Sequence, residues 1–272
     1  MQNVKMTFTL GPRAIAAGYK LAAFDQIDST NAEALRRARD GARGPMWFVT
    51  PEQTAGRGRR QRAWVAPRGN LASSVLEVMD VPPAVAATLG FAAGLSLEAA
   101  LQKVSIEAAL RLGRSPAYTL KWPNDVLADG RKLSGILLEA EGVDDYLAVV
   151  VGIGTNVVAA PEGTPTPAVS LAALGVQIGP EELFAALSDA WVEFRGIWDN
   201  GRGFAEIRRL WLERAAGLGG KVAIQTGTAA LEGTFDTIDD TGCLIVRTAD
   251  GQRMPVTAGE VYFGNAASVR AS

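Results

Sequence analysis

YTLKWPNDVLADGRKLSGILLEAEGVDDYLAVVVGIGTN, residues 118–156, is the stretch on which the fold turns. Residues 118–122 begin as a strand, and Pro123 breaks it, because proline has no backbone N–H to give to a ladder. Two apolar runs follow, GILLEAE (135–141) and YLAVVVGI (146–153). The GVDD between them reads as the turn that joins two strands. Upstream, LASSVLEVM (71–79) alternates as a strand and MWFVT (46–50) reads as a short one. A mixed or antiparallel sheet is expected.

Helices surround these strands. DSTNAEALRRARD (28–40) reads as a capped helix, with Thr30 at the N-cap and Glu33 three residues on completing a capping box. Residues 84–110 are rich in Ala and Leu and predict a helix, interrupted near Gly94; residues 180–214 predict two more. Residues 51–70 hold Pro, Gly and Arg without apolar periodicity and read as a long loop, and PEGTPTP (161–167) as a surface loop. After Gly217–Gly220 the pattern changes to short alternating runs, KVAIQT, ALEGTFDTI, GCLIVRT and QRMPVTAG, separated by Gly and Asp turns. That spacing suggests a small all-β barrel. The expected architecture is α+β over residues 1–217, followed by a small β domain over 218–272.

Composition narrows the chemistry. The chain has 272 residues, 48% of them hydrophobic, enough for one large and one small domain. No run approaches the roughly 20 uninterrupted apolar residues of a membrane span, and the first twenty residues lack a signal-peptide pattern. One cysteine, Cys243, excludes an internal disulfide and fits a reducing cytoplasm. There is no histidine. Ser-His-Asp and Cys-His catalysis are therefore excluded, as is a His-ligated metal. Carboxylates, lysines, arginines, amides and backbone remain, and that set suits phosphoryl or adenylyl chemistry, which needs alignment and charge stabilisation. A net charge of −2 speaks against a general nucleic-acid coat.

Three segments carry the candidate groups. QTAGRGRRQRAW (53–64) interleaves Gly56 and Gly58 with Arg57, Arg59, Arg60 and Arg62. Glycine lets backbone approach a ligand, and arginine forks match phosphate and carboxylate oxygens. A solvated basic loop is an equal reading on charge alone, with nucleic-acid binding behind it; Trp64, which can cover an apolar ring, favours a ligand. KWPND (121–125) alone is explained by an Asx-type turn. RKLSG (131–135) follows it, so Lys121 and Lys132 are expected near the ends of adjacent strands, facing the arginine loop. GIGTN (152–156) is a partial dinucleotide pattern, better read as a buried strand ending in a glycine turn. Ser29 and Thr30 are explained by capping alone.

Taken in order, DSTN, QTAGRGRRQRAW, GNLASSV, KWPNDVL, RKLSGILLE and GIGTNV resemble the biotin protein ligase family, from about residue 20 to about 175, with a weaker likeness in the C-terminal β region. The resemblance implies a class II synthetase-like catalytic domain with a small SH3-like barrel behind it. It implies ATP and biotin as substrates with Mg²⁺, and a biotin carboxyl carrier protein domain of acetyl-CoA carboxylase or a related carboxylase as acceptor. On the same resemblance, Ser29, Thr30 and Gln53 bind the ureido head of biotin. Gly56, Arg57, Gly58, Arg59 and Arg60 wrap the biotin carboxylate and α-phosphate, and Lys132 neutralises charge where they join. Gly135 admits the biotin ring, Trp64 packs on the adenine or the loop, and Asn156 reads the adenine edge. Asn124 and Asp125 stand beside the phosphate and Mg²⁺, and Asp125 receives the acceptor lysine's proton.

Two departures stand out: Gln61 replaces a glycine common in the family, and AVSL (168–171) replaces ATSL. Only 27 residues precede DSTN, so no DNA-binding repressor domain is expected. No membrane contact is expected either, and a homodimer through a sheet edge is open. The rivals are a lipoate or octanoate ligase or transferase of the same fold, and a non-catalytic anion-binding module.

Overall fold

The computed structural model describes residues 7–65, 67–164, 166–226 and 229–264. Seven strands form the larger sheet: β1 (Lys20–Ala23), β2 (Met46–Thr50), β3 (Leu71–Met79), β4 (Tyr118–Lys121), β5 (Asp125–Ala128), β6 (Arg131–Val143) and β7 (Tyr146–Thr155). Their spatial order is β1-β2-β3-β7-β6-β5-β4. β1 pairs with β2 in parallel and every other neighbour is antiparallel, so the sheet is mixed. The expected hairpin is there, but longer. β6 starts at Arg131, so RKLSG lies in the strand, and the turn shrinks to Asp144 and Asp145 between paired Val143 and Tyr146.

The helices are α1 (Pro12–Ala16), α2 (Thr30–Arg39), α3 (Pro83–Ala87), α4 (Leu89–Val104), α5 (Ile106–Leu112), α6 (Pro180–Trp198) and α7 (Phe204–Leu212). Side chains alternate across a strand, so one strand feeds two cores. Trp47 and Val49 of β2, with Val149 and Val151 of β7, join the large core that includes α4 and α6 residues such as Leu97 and Trp191. Phe48, Ala148 and Val150 face the other way and meet Ala34, Leu35 and Ala38 of α2. Burial on both faces is why residues 147–151 are apolar without alternation.

Several expectations are corrected. The helix read over 84–110 is three helices, broken at Thr88 and Ser105. Gly94 lies inside α4, where it packs against Trp211 and Leu120. Ser29 is the N-cap of α2, accepting from the Ala32 N–H at 3.4 Å, and Thr30 is the first helical residue. Glu33 turns outward to Arg36 and Arg37. β5 separates β4 from β6, so Lys121 and Lys132 do not lie on adjacent strands. The stretch Pro83–Val104 is long and apolar enough, by length and composition, to cross a membrane. Its Leu89, Leu95, Leu97 and Leu101 are fully buried in the core.

The C-terminal region forms a second, five-stranded antiparallel sheet, as a small SH3-like module has. Its strands are β8 (Lys221–Thr226), β9 (Ala229–Ile238), β10 (Leu244–Arg247), β11 (Arg253–Val256) and β12 (Glu260–Phe263), ordered β11-β10-β9-β8-β12. It docks beside KWPND: Trp122 Nε1 donates to the Gly242 carbonyl at 3.1 Å, and Gly242 lies against Phe91 and Phe204.

Candidate active site

A cavity of about 400 Å³ opens between the larger sheet, the arginine loop and β12. Of the expected site residues, all but Gly56 line it. Gly56 lies behind the wall, where a side chain would strike the Trp64 carbonyl 2.4 Å away.

At one end stand Ser29, Thr30 and Gln53, brought together because the N-terminus of α2 abuts the loop after β2. Gln53 Oε1 accepts from the Thr30 backbone N–H at 2.8 Å and from Thr30 Oγ1 at 3.2 Å. Ser29 and Thr30 are buried, so their polar atoms are desolvated and already oriented. Capping was sufficient to explain Ser29. It does not explain Thr30, whose hydroxyl also lies 2.7 Å from Ser74 Oγ.

The arginine loop folds back on itself: Gly58 N–H donates to the Arg62 carbonyl at 2.7 Å and Trp64 N–H to the Gly56 carbonyl at 2.9 Å. Its tip, Arg59–Gln61, is a short 3₁₀ turn in which Arg60 and Gln61 have φ of 54° and 60°. Every arginine of the loop has a partner. Arg57 pairs with Glu139 at 3.3 Å, and Arg59 donates to Asn124 Oδ1 at 2.9 Å. Arg62 and Arg60 pair with Glu260 of β12 at 2.5 and 3.8 Å. Burial, then neighbouring Arg60, pulls the Arg59 pKa down while Asp125 opposes them. Burial pushes Glu260 up, but the Tyr262 hydroxyl and Arg62 outweigh it and its carboxyl lies below the usual range.

On the floor, Lys132 pairs with Asp125 at 2.7 Å, and its ammonium lies 5.8 Å from the centre of a Trp64 ring. Asn124 Nδ2 donates to the Ile136 carbonyl at 2.9 Å, which fixes its orientation. Trp64 packs against glycines: a Cβ on Gly154 would come within 2.6 Å of the indole and one on Gly135 within 3.2 Å. This overturns the reading of GIGTN as a turn. β7 runs straight through to Thr155, and its glycines make room for Trp64 and, at Gly152, for Asn31. Asn156 Nδ2 donates to the Val169 carbonyl, whereas Asn156 Oδ1 and Trp64 Nε1 are buried without a hydrogen-bond partner. A buried acceptor and donor left unpaired beside a cavity are suited to a polar ligand.

The family model for the biotin/lipoate A/B protein ligase family matches residues 23–156, and that for the biotin protein ligase C-terminal domain matches residues 217–264. The chain is 43% identical over 246 residues to a biotin--[acetyl-CoA-carboxylase] ligase of Paracoccus denitrificans, covering 88% of this chain and 98% of the relative. The chain belongs to the biotin protein ligase family. It is an enzyme, a ligase. A biotin--[acetyl-CoA-carboxylase] ligase of Mycobacterium tuberculosis is 38% identical, over 87% of this chain and 86% of its own. Among solved structures, the biotin protein ligase of Aquifex aeolicus in complex with biotin and ATP superposes with a TM-score of 0.71. It has 25% identity and covers 90% of this chain and 99% of that one.

Several residues of the ligase's cavity carry no role in the sequence reading, among them Glu260, Thr164, Thr166 and Asn31. Glu260 comes from β12, a strand it did not contain. Thr164 and Thr166 belong to the segment read as a surface loop, yet they line the cavity, and Lys121 Nζ lies 3.4 Å from Thr166 Oγ1. Asn31 was overshadowed by its neighbours Ser29 and Thr30. Lys121 itself reaches the cavity as expected, and burial pulls its pKa down.

Proposed function

We propose that the enzyme activates biotin with ATP to biotinyl-5′-AMP and passes the biotin to a lysine of the biotin carboxyl carrier domain of acetyl-CoA carboxylase. The observation that carries this reading is the joining, in one cavity, of the Thr30–Gln53 pair, four loop arginines and Lys132, in a chain whose relatives are named for that acceptor. The ureido head takes the Ser29, Thr30 and Gln53 end, and the Trp64 indole, packed over Gly135 and Gly154, walls the space for the ring. The biotin carboxylate attacks the α-phosphate and pyrophosphate leaves. Lys132 offsets the negative charge that builds where carboxylate and phosphate join, while Arg57, Gly58, Arg59 and Arg60 hold the anionic groups. The unpaired Asn156 Oδ1 is placed to accept from an adenine amine, and Trp64 to cover the base. Asp125 accepts the proton of the incoming lysine once Lys132 releases it. No step needs histidine.

Among the described residues no cluster of three or more His, Cys, Asp or Glu side chains could hold a metal. Mg²⁺ therefore fits as the ion carried by ATP, held chiefly by phosphates with Asn124 and Asp125 beside it, where it neutralises phosphate charge. We divide the chain into a catalytic domain, 1–217, and a C-terminal β domain, 218–272; Glu260 is the latter's contribution to the cavity. A homodimer formed by sheet extension would use β1, because the β4 edge already exchanges backbone hydrogen bonds through Leu120 with Arg214 and Ala216. The single free cysteine supports a cytoplasmic location.

The test is transfer. Enzyme, biotin, ATP and Mg²⁺ with the carrier domain should biotinylate one lysine, read by mass. Lys132→Ala should lower the rate by roughly 100-fold or more, as expected for a charge at the reacting centre. A folded Lys132→Ala enzyme with near-normal transfer would make Lys132 structural.

A further inference from the structure

A line of hydrogen bonds runs from the Thr30–Gln53 end of the cavity to the arginine loop, through three side chains that have no part in the mechanism above, Ser74, Asn31 and Glu139. Thr30 N–H donates to Gln53 Oε1 at 2.8 Å, Thr30 Oγ1 lies 2.7 Å from Ser74 Oγ, and the Ser74 hydroxyl donates to Asn31 Oδ1 at 2.5 Å. Asn31 Nδ2 donates to Glu139 Oε2 at 2.8 Å and to the Leu137 carbonyl at 3.2 Å. The same Glu139 Oε2 receives Arg57 Nη2 at 3.3 Å.

Asn31 has no freedom in this arrangement. It is 4% exposed, and its amide fills the space over Gly152, where a Cβ would come within 2.2 Å of Oδ1. Gly152 is in register with Ser74 on β3 and with Leu137 on β6. The amide therefore spans one row of the sheet, accepting on the β3 side and donating on the β6 side. Its acceptor and both donors are used, which fixes which way it points. Aspartate would lose the donors and set a second carboxylate against Glu139. Leucine would leave the Ser74 and Glu139 bonds unmade.

We propose that Asn31 and Glu139 are positioning residues: they fix Arg57 relative to the Thr30–Gln53 end, so the guanidinium is oriented before the anion it binds arrives. This rests on the reading of the cavity as a biotin ligase site. Arg57 is half-exposed, so its ion pair contributes little to stability. Its value is geometric. One of five donors is committed to Glu139, the rest remain for a carboxylate or phosphate, and a long side chain that would otherwise be immobilised on binding is already held.

The experiment is a double-mutant cycle in the full-length enzyme, with Glu139→Gln measured in the wild-type and Arg57→Ala backgrounds. Biotin-dependent pyrophosphate exchange gives kcat and both KM values, and thermal melting reports the fold. Glu139→Gln should melt near wild type and lower kcat/KM by about three- to tenfold, the effect of freeing one long side chain. In the Arg57→Ala background the same change should cost less than about twofold, because Glu139 acts through Arg57. Equal losses in both backgrounds, or unaltered kinetics in Glu139→Gln, overturn the proposal. Should Glu139→Gln not fold, Glu139→Asp, which keeps the charge but withdraws it by one methylene, carries the same cycle. A wild-type enzyme without biotin-dependent exchange would instead defeat the functional reading, a distinguishable outcome.

Discussion

Arg59→Gly should make the enzyme leak its activated intermediate. Arg59 is the loop arginine whose charge is most desolvated, and its Nη1 is anchored on Asn124 Oδ1 at 2.9 Å, beside Asp125 and Lys132. A guanidinium held there covers the junction where the adenylate forms. Deleting it removes at least one charge-assisted bond to an anionic phosphate, worth about 1.5–3 kcal/mol. Glycine at 59 also loosens the tip, where Arg60 and Gln61 already sit in the left-handed region, so the closed loop becomes less populated. Since 1.4 kcal/mol is one decade, release should accelerate about ten-fold or more. Synthesis should suffer less, because Lys132, Arg57 and Arg60 remain. The assay mixes enzyme, biotin and ATP with an unrelated lysine-rich protein and reads biotin on that bystander. Bystander labelling no higher than wild type, with adenylate still forming, would refute the guarding role.

Two further outcomes concern stability. Gln61 has φ of 60°, where an L side chain is disfavoured by about 1 kcal/mol, so Gln61→Gly should melt at or above wild type and β-branched Gln61→Ile clearly below it; the reverse order in thermal melting would show that the tip is not left-handed in solution. Asp28 is held down to about 2, first by its hydrogen bonds from Arg36, so its carboxylate stabilises the α2 N-terminus at any pH above the usual carboxylate range, and that contribution disappears as pH falls towards 2; Asp28→Asn should flatten the acid limb of the stability–pH curve, and an unchanged limb would remove Asp28 from the account.

The parts legible in the sequence were those whose physics is local. The hairpin of β6 and β7 announces itself through two apolar runs and an acidic turn, and the arginine loop through composition. β5 was missed because Asp125–Ala128 is four residues between two turns, too short for periodicity to register. The cap of α2 was misplaced by one because Ser29 and Thr30 are both good caps. Only tertiary partners, Gln53 and Ser74, show that the Thr30 hydroxyl is spent elsewhere. Gly152 and Gly154 resembled a turn because the side chains that require them, Asn31 and Trp64, lie roughly a hundred residues upstream in the chain. The loop arginines were readable, but their partners Glu139 and Glu260 were not, since pairing between a loop and strands far along the chain leaves no local mark.

The central claim is that this cavity adenylates biotin. Exchange of labelled pyrophosphate into ATP, run in parallel with biotin, lipoate, octanoate and no acid in the presence of Mg²⁺, tests it most directly. Exchange that depends on biotin is the predicted result. Exchange with lipoate or octanoate alone, or ATP binding with no exchange under any acid, would contradict it.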